Sequence, residues 1–177
     1  MSKSVLYLAR HGKTRDNIPG ITRPSNSDVG LNEIGKKEAR EIGEQFKKDD
    51  IAPLIYTAPA ARTKQTAEII AEIAKSPVKV DSGLDSWNYG DIALEEDLKP
   101  FQENWTRTPP GGEPYGKFAW RFKKTLTVYW LSEEPILLVT HSRNLYLLQF
   151  WVEGLPEIPV TGMETGILFE LKTKLKD

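Results

Sequence analysis

Only two histidines occur in the chain, and each stands directly after a short apolar run. LYLARHGKT carries His11 and ILLVTHSRN carries His141. An imidazole can act as a nucleophile or as a metal ligand, and its neighbours decide between these roles. His11 is preceded by Arg10 and followed by Gly12. A cation, a nucleophile or ligand, and a residue that lets the backbone come close form a set suited to holding a phosphate. A strand-end histidine also has a plainer reading as a hydrogen-bonded structural residue. Zinc ligation is a third reading, against which stand the absence of cysteine and of any HxH or HExxH spacing.

Strands must deliver these histidines. In open α/β sheets the turns at the carboxyl ends of the strands line a crevice, so two histidines at two such ends predict one pocket with two imidazoles. Val5–Ala9 reads as a buried strand, Pro53–Thr57 as a second and Val78–Val80 as a short third. Pro135–Thr140 is the most apolar run, which predicts a central strand, and Thr165–Leu171 reads as a final strand suited to an edge. Asn32–Lys48 reads as a helix with Ile34, Ile42 and Phe46 on one face and Ala39 and Gly43 allowing close packing. Thr63–Ala74, Phe118–Leu131 and Asn144–Val152 read as three more helices. The third of the four carries Phe118, Phe122, Leu126 and Tyr129 along one side. Arg15–Gly30, with Pro19, Gly20, Pro24 and Asn26, reads as a loop. The stretch around 91–115 is rich in Glu, Trp, Pro and Gly and reads as a cap over one end of the sheet. Strands alternating with helices predict an α/β fold, a three-layer α/β/α sandwich with a mainly parallel central sheet.

The bulk numbers set bounds. At 177 residues the chain fits one domain. An apolar share of 39% and a charged share of 28% belong to a soluble globular protein. A net charge of −1 gives no electrostatic reason to expect nucleic acid or an anionic membrane as partner. With no cysteine there is neither disulfide nor thiolate chemistry, which fits a reducing compartment. MSKS runs straight into a strand too short and too early for a signal peptide, and no apolar run reaches the ~20 residues that span a bilayer. A cytoplasmic location is the expectation.

ARHGKTRDN, with Thr14 and Asn17 after RHG, resembles the RHG(E)TxxN signature of the histidine phosphatase superfamily, in the branch of the phosphoglycerate mutases and related phosphatases. Further segments follow in the right order. GLNEIGKKEAREIG is similar to LTxxGxxQAxxxG, and TAPAARTKQTAEII, with Arg62, to TSxxxRAxQTAEII. SGLDSWNYGDI, PPGGEPYGKFAWRF and LLVTHSRNL resemble LxExxxGxxxG, PGGESxxxxxxR and VxHGGxxR, the last placing His141. The resemblance implies a metal-independent phosphatase, without cofactor, in which neutral His11 attacks phosphorus and water then cleaves the phosphohistidine. Arg10, Arg62 and protonated His141 are the implied cations, and Gly12, Thr14 and Asn17 the implied neutral donors. Arg62 taken alone also reads as a solvated cation, and Thr14 and Asn17 as turn caps.

Two departures matter. The usual glutamate of LxE is Ser86 here, which cannot protonate a leaving alkoxide. Asp85 is adjacent but is expected to point elsewhere on an extended backbone. Glu113, beside the glycines of PPGGEP, is the candidate acid, with substrate binding or capping of the next helix as its other readings. The paired glycines after His141 are replaced by Ser142 and Arg143. Ser86 and Arg143 stand where they would line a substrate, and Arg143 either grips a second anion or faces solvent. Trp87, Tyr89, Trp105 and Tyr115 could stack on a flat substrate such as a nucleotide, or pack in the core. In its compact length the chain resembles the short phosphatases of that superfamily, which implies hydrolysis rather than mutase activity. The expected partner is a small phosphorylated substrate, such as a nucleotide or sugar phosphate. Two alternatives stay open: a protein phosphatase acting on phosphohistidine, whose leaving imidazole needs little acid, or a non-catalytic phospholigand-binding module that lost its acid at Ser86.

Overall fold

Side chains on successive strand residues point to opposite faces, so a strand that is apolar throughout needs cover on both sides. Leu6–Arg10 and Ile136–Thr140 meet that condition, with apolar residues at nearly every position. A computed structural model describes residues 5–17, 29–94, 97, 100–101, 106–151 and 165–171. Its strands are β1 (Leu6–Arg10), β2 (Leu54–Thr57), β3 (Val78–Val80), β4 (Ile136–Thr140) and β5 (Leu168–Leu171). They form one sheet in the order β3-β2-β4-β1-β5. β1 to β4 run parallel and β5 pairs antiparallel with β1 at the edge. β4 is central and buried throughout, as its composition predicts.

Among the described residues, the helices that cover the sheet are α1 (Glu33–Lys48), α2 (Ala61–Ala74), α3 (Tyr115–Trp130) and α4 (Ser142–Gln149). Tyr7, Ala9, Leu137 and Val139 face α1 and α2 through Ala39, Ile42, Phe46, Ala67 and Ile70. The alternate residues Leu6, Leu8, Ile136 and Leu138 share a second core with Phe118, Phe122 and Leu126 of α3 and Leu145 and Leu148 of α4. The fold is therefore the expected three-layer α/β/α sandwich. Trp87, Tyr89 and Tyr115 belong to the second core and are buried, so they pack rather than offer a stacking face. Most of the Arg15–Gly30 loop lies outside the described residues, as do 95–96, 98–99 and 102–105 of the cap, Trp105 among them. Among the described residues no helix is long and apolar enough to cross a membrane.

Several details differ from the sequence expectation. Ile34 is 54% exposed rather than inward. The buried stripe of α1 is Gly35, Ala39, Ile42, Gly43 and Phe46, one residue round the helix. Gly35 sits there because a Cβ would lie 2.1 Å from the Lys13 carbonyl oxygen. α2 and α3 start earlier than expected, at Ala61 and Tyr115, and Arg62 thereby falls in the first turn of α2. α4 starts at Ser142 and makes His141 its N-cap, so strand and helix are joined through the histidine itself. Thr165 and Gly166 form a turn ahead of β5, with Gly166 at φ +67°.

This topology creates the crevice. β1 and β4 are parallel neighbours with Arg10 opposite Thr140, and the His11 amide donates to the Thr140 carbonyl at 3.0 Å. The helix after β1 goes to one face and the helix after β4 to the other, which opens the sheet between two adjacent carboxyl ends.

Candidate active site

His11 and His141 emerge side by side from that point, with ring centroids 5.3 Å apart and planes at 66°. Both are buried. The Nδ1 of His11 lies 2.9 Å from the Gly12 carbonyl oxygen. A carbonyl can only accept, so Nδ1 carries the proton and Nε2 keeps its lone pair. Burial, and then the charges of Arg10 and Arg62, hold His11 well below the usual histidine range, while the Gly12 bond acts weakly the other way. His11 is thus a neutral imidazole with a fixed tautomer, the form that can attack an electrophile.

Arg62 is buried and not solvated. Its Nη2 donates to His141 Nδ1 at 3.4 Å. A guanidinium has only protons to offer, so His141 Nδ1 must be the acceptor and a neutral His141 bears its proton on Nε2. Burial, followed by Arg62, His11, Arg10 and Arg121, keeps His141 well below its usual range. The expectation of a cationic His141 is corrected here: beside two arginines it is a neutral Nε2–H donor. That buried nitrogen has no hydrogen-bond partner among the described residues. Arg10, the last residue of β1, is partly exposed, and its charge is felt at both imidazoles.

The loop after His11 is fixed from outside. The Gly12 amide donates to Thr66 Oγ1 at 3.0 Å, and Thr66 Oγ1 donates to the Arg62 carbonyl at 2.8 Å. Gly12 therefore spends its N–H on α2 instead of on a phosphate. What requires glycine is contact with α1, since a Cβ would lie 2.4 Å from the Gly35 carbonyl oxygen. Thr14 donates through its amide and its hydroxyl to Asn17 Oδ1 at 2.7 and 3.0 Å, the turn-capping arrangement, which leaves Asn17 Nδ2 unused by that turn.

The segment carrying Ser86 is held from three directions. Leu84 O accepts from Thr140 Oγ1 at 2.6 Å and from Asn144 Nδ2 at 3.3 Å. Asp85 O accepts from Asn144 Nδ2 at 3.1 Å and from Arg121 Nη1 at 2.9 Å. Ser86 O accepts from Arg121 Nη2 at 3.2 Å. So held, Asp85 does not point away as an extended strand would have it. Its Oδ1 lies 3.7 Å from His141 Nε2 and accepts from the Ser86 amide at 3.0 Å. Burial raises the Asp85 carboxyl above the ordinary range against the opposing pull of the Ser86 amide, Arg121 and Arg62. Ser86 itself is buried.

Glu113 is drawn into a different set of bonds. Its Oε1 accepts from Arg121 Nη2 at 2.9 Å and from the Asn88 amide at 3.1 Å. Its carbonyl accepts from Trp87 Nε1 at 2.9 Å. Arg143 does not face solvent: it is buried, donates from Nε to Tyr89 Oη at 3.0 Å and lies over the Tyr89 ring at 5.7 Å.

The structure therefore gathers Arg10, His11, Arg62 and His141, brings Ser86 and Arg143 to the adjoining segments, and adds Asp85. Thr66, Arg121 and Asn144 complete the support. Arg121 was legible as the last residue of PPGGEPYGKFAWR, and Thr66 as the residue four after Arg62, but neither has a partner that can be named from sequence. Among the described residues no three His, Asp or Glu are grouped as metal ligands.

Similarity to known proteins bears on the family and the fold. The chain is 37% identical over 184 residues to the uncharacterized phosphatase PhoE of Bacillus subtilis (strain 168), covering 98% of this chain and 93% of that relative. It is 27% identical over 194 residues to a 2,3-bisphosphoglycerate-dependent phosphoglycerate mutase of Parvibaculum lavamentivorans, covering 97% and 92%. Among solved structures, a mycobacterial glucosyl-3-phosphoglycerate phosphatase in complex with VO3 superposes with a TM-score of 0.74 at 24% identity, covering 98% of this chain and 97% of that one. That likeness bears on the fold. The mutase is matched over nearly its whole length, so compactness does not separate hydrolysis from mutase activity. The model of the histidine phosphatase superfamily (branch 1) matches residues 6–164, and the chain belongs to that superfamily.

Proposed function

We propose that this protein is a metal-independent phosphatase that hydrolyses small phosphomonoesters through a phosphohistidine on His11. One observation carries the reading: His11 Nδ1 is committed to the Gly12 carbonyl at 2.9 Å, which leaves a neutral Nε2 in a pocket with Arg62 and His141. In the first step Nε2 attacks phosphorus in line and the ester oxygen departs. In the second, water attacks the phosphohistidine and inorganic phosphate leaves. Arg10 and Arg62 grip the equatorial oxygens, His141 donates through Nε2–H and Asn17 through Nδ2. Fixed cations and donors supply the electrostatic stabilisation that a metal supplies in other phosphatases.

The relative at 37% identity is named a phosphatase, which supports hydrolysis over mutase activity. Burial of Trp87, Tyr89 and Tyr115 in the core takes three of the four aromatic candidates away from stacking on a base, which favours a small aliphatic or sugar phosphate. The test is phosphate release from a panel of phosphomonoesters in excess EDTA. Turnover that survives the chelator is expected. Activity that disappears with EDTA and returns with a divalent ion would overturn the metal-free reading, and tight binding of phosphate esters with no release would favour a binding module.

A further inference from the structure

Breaking an alkyl phosphate needs a proton for the departing oxygen, and the residue that usually stands at Ser86 to give it is missing. We propose that Asp85, one residue earlier, is the proton donor of this site. The inference rests on the phosphatase reading above and deepens it.

Geometry carries it. Asp85 Oδ1 is 3.7 Å from His141 Nε2, the atom that donates to the substrate phosphate in the mechanism proposed above. A group beside that nitrogen stands next to the place where that mechanism puts the phosphate, and on its open side, since the Asp85 side chain is 27% exposed against 4% for His141. The position is preorganised: the carbonyls of residues 84, 85 and 86 are bound by Thr140 from β4, Asn144 from α4 and Arg121 from α3. With the backbone so fixed, the Asp85 side chain lies toward His141. The Ser86 amide then caps one carboxyl oxygen, fixing its rotamer.

The charged groups facing Asp85 pull its proton in both directions. His141 stands at the β4–α4 junction, Arg62 on α2, Arg121 on α3 and Glu113 just ahead of α3. The two arginines favour the carboxylate, whereas burial and Glu113 favour the protonated acid. An arriving phosphate dianion neutralises the arginines and adds like charge, so substrate binding itself brings the proton onto Asp85. Glu113 is less suited, because its Oε1 already serves as acceptor for Arg121 and the Asn88 amide.

The steps balance. As the His11 Nε2–P bond forms, the P–O bond to the leaving group breaks and the Asp85 proton passes to that oxygen. Water then attacks phosphorus, its proton goes to the Asp85 carboxylate, the P–N bond breaks and inorganic phosphate leaves. Asp85 ends protonated and His11 neutral, as they began.

Asp85→Asn separates this role from a structural one, because Asn Oδ1 keeps the cap on the Ser86 amide. Its kcat/KM on an alkyl phosphate such as glycerol 3-phosphate is expected to fall by about 10²–10⁴-fold. On p-nitrophenyl phosphate, whose phenolate leaves unprotonated, the expected loss is below about tenfold. The alkaline fall of the wild-type alkyl-phosphate profile, which marks loss of the acid, should also disappear in the variant. Equal losses on both esters, or none on either, would overturn the proposal and leave the His11 mechanism standing. The same selective loss in Glu113→Gln and not in Asp85→Asn would reassign the acid. Phosphate release that persists in His11→Ala would remove the phosphatase mechanism and this proposal with it.

Discussion

His11→Ala is expected to stop phosphate release, with kcat falling on the order of 10⁴–10⁶-fold on every ester, activated ones included. The size follows from the role of the residue. Without Nε2 there is no covalent route, and water must attack the ester directly with only the remaining cations to help. The substitution spares the scaffold. The His11 amide keeps its bond to Thr140, the strand register from Leu6 to Arg10 is made by backbone, and the lost side-chain bond ran only to the neighbouring Gly12 carbonyl. An unfolding midpoint close to wild type should therefore accompany the lost activity. A folded variant that still turns over at more than about a hundredth of the wild-type rate contradicts covalent catalysis at this residue.

Arg62→Ala is expected to lower kcat/KM by about 10²–10³-fold, the loss found when one fixed donor to a developing charge is removed. Arg62→Lys should recover little, since an ammonium cannot hold His141 Nδ1 and a phosphate oxygen in one plane. After burial, Arg62 is also the largest influence on the charge of His141. With its guanidinium gone, a leading cause of the depressed His141 value is lost, and the imidazole takes up its proton at higher pH than in the wild type. Because the chain has only two histidines, their titration can be followed one by one by NMR. An upward shift of His141 in Arg62→Ala is the expected result. An unmoved His141, or activity within about tenfold of wild type, would mean that the buried Arg62 serves only packing.

The architecture was legible because its signals are local. Apolar runs bounded by Pro, Gly and charged residues marked β2, β3 and β4 to within a residue or so, and the RHG and VTHS segments placed both histidines at strand ends. Arg62 needed more, since a helix-start arginine has the same local signature in a pocket as in solvent; only the family resemblance pointed inward. What escaped the sequence depends on contacts between distant elements. The direction of Asp85 is set by Thr140, Arg121 and Asn144 acting together on three carbonyls. The neutrality of His141 follows from its burial and then from an arginine on another helix, and the Gly12 amide was claimed by Thr66 of that same helix. Ile34 misled for a geometric reason. Close approach of the loop after β1 gave its place in the buried stripe to Gly35.

The central claim, a covalent phosphohistidine at His11, is met most directly by trapping it. The enzyme would be mixed with a radiolabelled phosphomonoester, quenched in alkali within the first turnover, and its labelled peptide identified. Phosphoramidates survive alkali and hydrolyse in acid, whereas serine or threonine esters survive acid. Acid-labile label on the peptide containing His11, absent from His11→Ala, is the predicted result. Label on another residue, or full first-turnover phosphate release with no protein-bound label at any quench time, would contradict it.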